Sequence, residues 1–120
     1  MIYTVTFNPA IDYVLWLDRL RPGKTNRAVG EVYAPGGKGI NVSKVVKALG
    51  GKTLALGFAA GFTGDTVCTM LEARGIASDF IRIPGLSRVN VKIKADVETE
   101  INGRGPDVPE EAFAQLVQKP

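Results

Sequence analysis

The sequence predicts an α/β domain: a parallel sheet covered by helices, joined to a small sheet with one wet face. Three observations carry this. Apolar, β-branched runs alternate with amphipathic helical stretches over residues 2–84. Val89, Val91, Ile93 and Ala95 then alternate strictly with Asn90, Lys92, Lys94 and Asp96, the period of a half-exposed strand. Glycine is 14 of 120 residues, above the usual ~7%, so tight turns or ligand loops are expected.

The elements follow in order. Ile2 to Phe7 is an apolar run ended by Asn8-Pro9, a strand and then a turn. Tyr13 to Leu17 is a short second strand, punctuated by Arg21-Pro22-Gly23. Asn26 to Ala34 is extended and stops at Pro35-Gly36-Gly37. A helix runs from about Gly39 to Leu49, with Val42, Val45, Val46 and Leu49 as its predicted apolar face. Gly50-Gly51 caps its end. Thr53 to Ala59 is a buried strand, and Gly61 to Gly64 a glycine loop. Asp65 is expected to cap a helix that packs through Val67, Met70 and Leu71 and ends at Gly75. A last helix starts near Pro109, where Glu110 and Glu111 suit the positive helix end. Ala112, Phe113, Leu116 and Val117 are its apolar positions. So few covered strands leave apolar faces open. The chain therefore reads as the N-terminal part of a longer protein, with a self-sufficient domain as the alternative.

Composition excludes several classes. Hydrophobic residues are 45% and charged residues 22%, which rules out a disordered chain, a disulfide scaffold and a coiled coil. The net charge is only +3, without a Lys/Arg run, so no nucleic-acid footprint is present. There is no His, which excludes His-based acid–base chemistry, His-ligated metal and Ser-His-Asp triads within this chain. A single Cys excludes an internal disulfide and a CxxC zinc site, and fits a reducing compartment. No apolar run reaches the roughly 18 residues of a membrane span. The N-terminus lacks a basic region and a cleavage site, so it reads as a first strand and not as a secretory signal.

The residues that can carry chemistry lie near turns. Pro35-Gly36-Gly37-Lys38-Gly39-Ile40-Asn41-Val42 opens directly onto a helix. Glycines let backbone approach a ligand, and a helix N-terminus offers N–H groups to an anion. Lys38 adds a charge, and Asn41 projects from the first turn. Neither nucleotide fingerprint is met, and locally a tight turn is the simpler reading. Asp12 sits just past the first strand, the edge where open α/β sheets bind ligands. It can accept bonds from sugar hydroxyls, and it can equally serve its own turn. Arg88 at a strand entry is ordinarily solvated, but read with Lys38 it can hold a phosphate. Lys92 and Lys94 read as a solvated strand face, and Cys68 as buried and inert.

Taken in order, these segments have a family likeness. Thr6-Phe7-Asn8-Pro9-Ala10-Ile11-Asp12, then Gly36 to Val42, Gly61-Phe62-Thr63-Gly64, Arg88 to Ile93 and Thr99 to Gly103 together resemble the phosphofructokinase B family of ribokinase-like sugar kinases, over essentially the whole chain. The resemblance is strongest to the members that phosphorylate fructose 1-phosphate, with the tagatose-6-phosphate kinases as near neighbours.

The resemblance implies a ribokinase-like parallel sheet with a small β-sheet lid, drawn from about 13–34 and 79–103. It implies a cytoplasmic homodimer joined through the lids, with ATP and Mg²⁺ as cofactors. The reaction implied is γ-phosphoryl transfer to the 6-hydroxyl of fructose 1-phosphate, giving fructose 1,6-bisphosphate. By matching positions, Asp12 binds sugar hydroxyls, and Gly36, Gly37 and Asn41 line the sugar site. Lys38 and Arg88 neutralise the substrate's phosphate, and Arg27 on a lid strand helps across the dimer. Arg104 stands where the family usually has Pro or Gln, and Ser87 replaces a common Thr. The family's catalytic Asp lies in a Gly-Ala-Gly-Asp motif that does not occur here. Gly61-Phe62-Thr63-Gly64-Asp65 is superficially alike but matches an earlier family segment. The expectation is therefore a sugar-binding half with no catalytic or metal-binding residue of its own, inactive alone. A non-catalytic sugar-phosphate-binding or dimerisation module is the alternative.

Overall fold

The computed structural model describes residues 1–119. The apolar run at the N-terminus is β1 (Ile2–Thr6), followed by β2 (Ala10–Trp16) and β3 (Gly30–Gly36). Then come α1 (Lys38–Ala48), β4 (Thr53–Ala60), α2 (Gly61–Ala73) and β5 (Ala77–Ile83). The chain continues through β6 (Arg88–Lys94), β7 (Glu98–Asn102) and α3 (Glu110–Val117).

These strands form two sheets. A three-stranded parallel sheet has the order β1-β4-β5, and a four-stranded mixed sheet has the order β3-β2-β6-β7. In the second sheet β2 and β6 run parallel, each flanked by an antiparallel neighbour. β1 feeds β2 and β5 feeds β6, so the two edge strands of the parallel sheet, on either side of β4, both lead into the lid. Ser87 pins that passage. Its hydroxyl accepts from the Ala60 amide (3.0 Å), its own amide donates to the Ala60 carbonyl (3.0 Å), and its carbonyl accepts from Thr63 (2.7 Å). β5 pairs with β4 along its length, so the lid's second stretch begins at Arg88 and not near residue 79.

Two apolar clusters hold the sheets. Ile11, Ile40, Val67, Leu71 and Ile76 pack between the lid base, α1 and α2. Phe58, Ala60, Ile81, Ile83 and Ala112 pack between the parallel sheet and α3, with Phe113 edge-on to Phe58 and Phe7. Among the described residues, no helix is long and apolar enough to cross a membrane.

Two sequence expectations are corrected. Val42, Val45 and Leu49 of α1 are exposed, and the buried positions are Ile40 and Ser43. The rotation is set by Gly39, since a Cβ there would press on the Thr6 hydroxyl and lie 2.6 Å from the Val5 carbonyl. With Gly39 against β1, Ser43 one turn later must also face inward. Its hydroxyl bonds Thr4 (2.6 Å) and Thr53 (2.8 Å), a buried polar chain in place of the expected valine face. The second correction concerns α2, which begins at Gly61, with Ala60 as its N-cap. Asp65 lies inside the helix and pairs with Arg82 instead of capping.

Candidate functional site

The seam between the two sheets gathers the polar residues. Asp12 on β2 is in register with Ala34 of β3 and Asn90 of β6, so all three share one face of the lid. Gly36 cradles the Asp12 carboxylate, and any Cβ at Gly36 would collide with both carboxylate oxygens. Asn90 Nδ2 donates to Asp12 Oδ1 (3.3 Å), and Lys92 Nζ lies 3.6 Å from Asp12 Oδ2. Asn90 is itself fixed, its Oδ1 accepting from the Gly103 amide (3.2 Å). Lys92 also reaches Glu100 on β7 (4.0 Å). Asp12 is thus held between two donors with little freedom to turn, which suits it to accept hydrogen bonds from ligand hydroxyls.

α1 supplies the other wall. Gly37 is its N-cap, with φ 124° and ψ 148°, and no side chain caps the first turn. That conformation favours glycine, and it leaves the leading N–H groups available. Lys38 and Asn41 project from this turn, both exposed. Arg88 enters from β6 and is anchored by donating from Nε to the Asn8 carbonyl (3.0 Å). A cavity of about 170 Å³ is lined by Asp12, Gly37, Lys38, Asn41, Arg88, Asn90, Lys92, Glu100 and Asn102. A second, of about 210 Å³, lies beside it under the α1 N-terminus, lined by Val5, Thr6, Phe7, Asn8, Gly37, Lys38, Gly39 and Arg88.

The structure therefore brings Asp12, Gly36, Gly37, Lys38, Asn41 and Arg88 together. It does not bring Arg27 to them. Arg27 precedes β3 at the opposite end of the lid and lines a separate cavity with Arg19 and Arg21. Sequence reasoning passed over Asn90, Lys92, Glu100 and Asn102. Alternation in β6 placed Asn90 and Lys92 on one face, but only the β2–β6 pairing shows that Asp12 shares it.

Three groups titrate away from their ordinary values. Burial lowers the Lys44 pKa, helped by the Arg74 charge and opposed by Asp12. Tyr13 is raised by donating to Glu31 (2.6 Å) and by Tyr33, on which it stacks at 4.3 Å. Burial raises Cys68, which makes its thiol a poor nucleophile. Among the described residues, no group of three or more His, Cys, Asp or Glu is placed to hold a metal ion.

Comparison with known proteins decides the family. The model of the pfkB family carbohydrate kinases matches residues 3–119. The chain belongs to this family. Within it, the chain is 42% identical over 119 residues to a 1-phosphofructokinase of Bacillus subtilis, covering 99% of the chain and 39% of the relative. It is 40% identical to a D-tagatose-1-phosphate kinase of Bacillus licheniformis, again covering 99% of the chain and 39% of the relative. Among solved structures, phosphofructokinase-2 of Escherichia coli in complex with fructose-6-phosphate matches with a TM-score of 0.89 and 27% identity, over 96% of this chain and 39% of that one. The chain thus spans about two fifths of the length of the curated family members it matches.

Proposed function

We propose that the whole protein is a sugar-phosphate kinase that phosphorylates fructose 1-phosphate at its 6-hydroxyl, giving fructose 1,6-bisphosphate, and that this chain supplies the sugar-phosphate half of the site. One observation carries the reading. A fixed carboxylate that takes hydroxyls (Asp12) shares a cavity with two cations, Lys38 and Arg88, at an uncapped helix N-terminus. Hydroxyl acceptors beside cations fit a phosphorylated sugar better than a neutral one. The names of the relatives point the same way, since both act on hexose phosphates carrying the phosphate on carbon 1. A tagatose phosphate is the second reading, favoured by the Bacillus licheniformis relative.

In this scheme Asp12, Asn41 and the main chain at Gly36 and Gly37 orient the sugar, while Lys38 and Arg88 hold its phosphate. Orientation of the accepting hydroxyl is a large part of what a phosphoryl-transfer enzyme supplies. ATP with Mg²⁺ is the proposed phosphoryl donor. The described residues offer no acidic cluster for the ion, so no step is assigned to it. We also place the protein in the cytoplasm as a homodimer joined through its lids. Half-exposed apolar side chains on the lid, such as Trp16, Val32 and Tyr33, support the dimer. Arg27, at the outer end of the lid, is then the residue that reaches toward the partner's site.

The test is a coupled assay of the whole protein with ATP and Mg²⁺ on fructose 1-phosphate, tagatose 1-phosphate, tagatose 6-phosphate and fructose. The expected order puts fructose 1-phosphate first in kcat/KM. Equal turnover of unphosphorylated fructose contradicts the reading. Sugar-phosphate binding without turnover identifies a non-catalytic binding module instead.

A further inference from the structure

The cavity around Asp12 has a charged pair on its wall that the scheme above leaves unused. Lys92 of β6 stands directly opposite Glu100 of β7, and both line the cavity. Strand register puts this pair one row out from Asp12, on the same face of the lid. Lys92 Nζ lies 3.6 Å from Asp12 Oδ2 and 4.0 Å from Glu100 Oε1. These separations hold charge together but are too long for hydrogen bonds. An ammonium has three donors and no acceptor. Lys92 is therefore drawn between two carboxylates while its donors stay open to a ligand.

Charge decides what can lie there. Two carboxylates around one ammonium leave a net negative charge, which repels a phosphate dianion. A neutral hydroxyl suits the place, because it both donates and accepts. It can accept from Lys92 and donate to Glu100. The next row of the same hairpin is an internal contrast. Lys94 and Glu98 also stand opposite each other, at 4.0 Å, but they lie outside the Asp12 cavity.

We propose that Lys92 and Glu100 are a second hydroxyl-reading pair beside Asp12, and that they set the site's preference between ring epimers of a ketohexose phosphate. Fructose and tagatose differ at one centre. In the furanose form the 3- and 4-hydroxyls lie on opposite faces of the fructose ring and on the same face of the tagatose ring. Across the lid, Asp12, Lys92 and Glu100 present acceptor, donor and acceptor. That order meets one arrangement of hydroxyls and leaves a charged group without a partner against the other. A site built to bond a hydroxyl rejects the analogue that misplaces it. The inference rests on the proposed function for the class of sugar.

Glu100→Gln keeps the size and removes the charge without touching Asp12. Lys92→Met keeps the stem and removes the donors, and Glu98→Gln is the control. Exposed ion pairs add little to stability, so all three variants should melt close to the wild type. Dissociation constants of the whole protein and each variant are measured for fructose 1-phosphate, tagatose 1-phosphate and the two unphosphorylated sugars. Glu100→Gln and Lys92→Met should change the ratio of the two sugar-phosphate constants roughly tenfold, and Glu98→Gln should leave it at the wild-type value. A role confined to holding Asp12 weakens both epimers together. An unchanged ratio in Glu100→Gln, or equal weakening of both epimers in every variant, therefore overturns the pair. If the unphosphorylated sugars bind as tightly as their phosphates, the sugar-phosphate reading fails, and the pair is judged by the same ratio between the free sugars. If the wild type binds none of the four, both fail.

Discussion

In the parallel sheet, β4 is buried without interruption from Ala55 to Ala60, with Phe58 1% exposed at its centre. In the lid, the buried residues of β2, β3 and β6 lie toward the end of each strand nearest the parallel sheet. β2 starts buried at Ala10 and Ile11 and ends at an exposed Trp16, and no residue of β7 is buried. Packing therefore fixes the parallel sheet, whereas the lid is held by strand pairing and by side-chain pairs such as Tyr13 on Tyr33. The lesson concerns where chemistry can sit. The covered central strand β4 carries a single polar side chain, Thr53, and its hydroxyl is bonded to Ser43. The lid's open face carries Asp12, Asn90, Lys92 and Glu100, and it meets the parallel sheet at the α1 N-terminus.

The largest expected effect tests this contrast. Phe58→Ala removes the centre of the α3-side cluster and should cost about 3–5 kcal/mol in denaturant unfolding. Tyr33→Ala in the lid should cost only about 0.5–1.5 kcal/mol, the worth of an aromatic pair. Similar losses at both positions would remove the distinction between the two sheets.

A smaller effect sharpens the account of α1. Ser43→Ala breaks the hydroxyl chain between Thr4 and Thr53 and should cost about 1–3 kcal/mol. Val45→Ser, on the exposed face, should change stability by less than about 0.5 kcal/mol. The reverse order would mean that α1 packs through its valines after all.

This helix also shows where sequence reasoning reached its limit. Its start was legible, because Pro35-Gly36-Gly37-Lys38-Gly39 combines turn residues with a helix entry. Its buried face was not, because periodicity finds the most apolar stripe. The contact of Gly39 with β1 decides the rotation, and that contact is non-local. β4 was legible as an uninterrupted apolar run, and β6 as strict alternation, although Asn90 of its expected wet face is buried and Val89 of its expected dry face is exposed. The same limit explains Lys92. Alone on an alternating strand it looks solvated, and its partner Asp12 lies eighty residues back, joined to it only by the β2–β6 pairing. Asp65 misled for a different reason, since Gly61 to Gly64 form the first turn of α2 and not a loop before it.

The smallest effect concerns pH. Tyr13 holds its proton more tightly in the fold than in the unfolded chain, chiefly through Glu31. Its contribution to stability is therefore complete below the unfolded value near 10 and is lost as pH rises through the higher folded value. In an alkaline absorbance titration, one of the 3 tyrosines should ionise well after the others, and Glu31→Gln should bring it down. Tyrosines that ionise together in the wild type would contradict the pairing.

The central claim is that the seam binds a phosphorylated sugar through cations at the α1 N-terminus. Its most direct test is the affinity of Lys38→Ala for fructose 1-phosphate. Lys38 is exposed in the first turn, so its removal should leave the melting temperature nearly unchanged. The account predicts a roughly 10- to 100-fold weaker Kd, the worth of one charge-assisted phosphate contact. A wild-type Kd in a folded Lys38→Ala protein would contradict it.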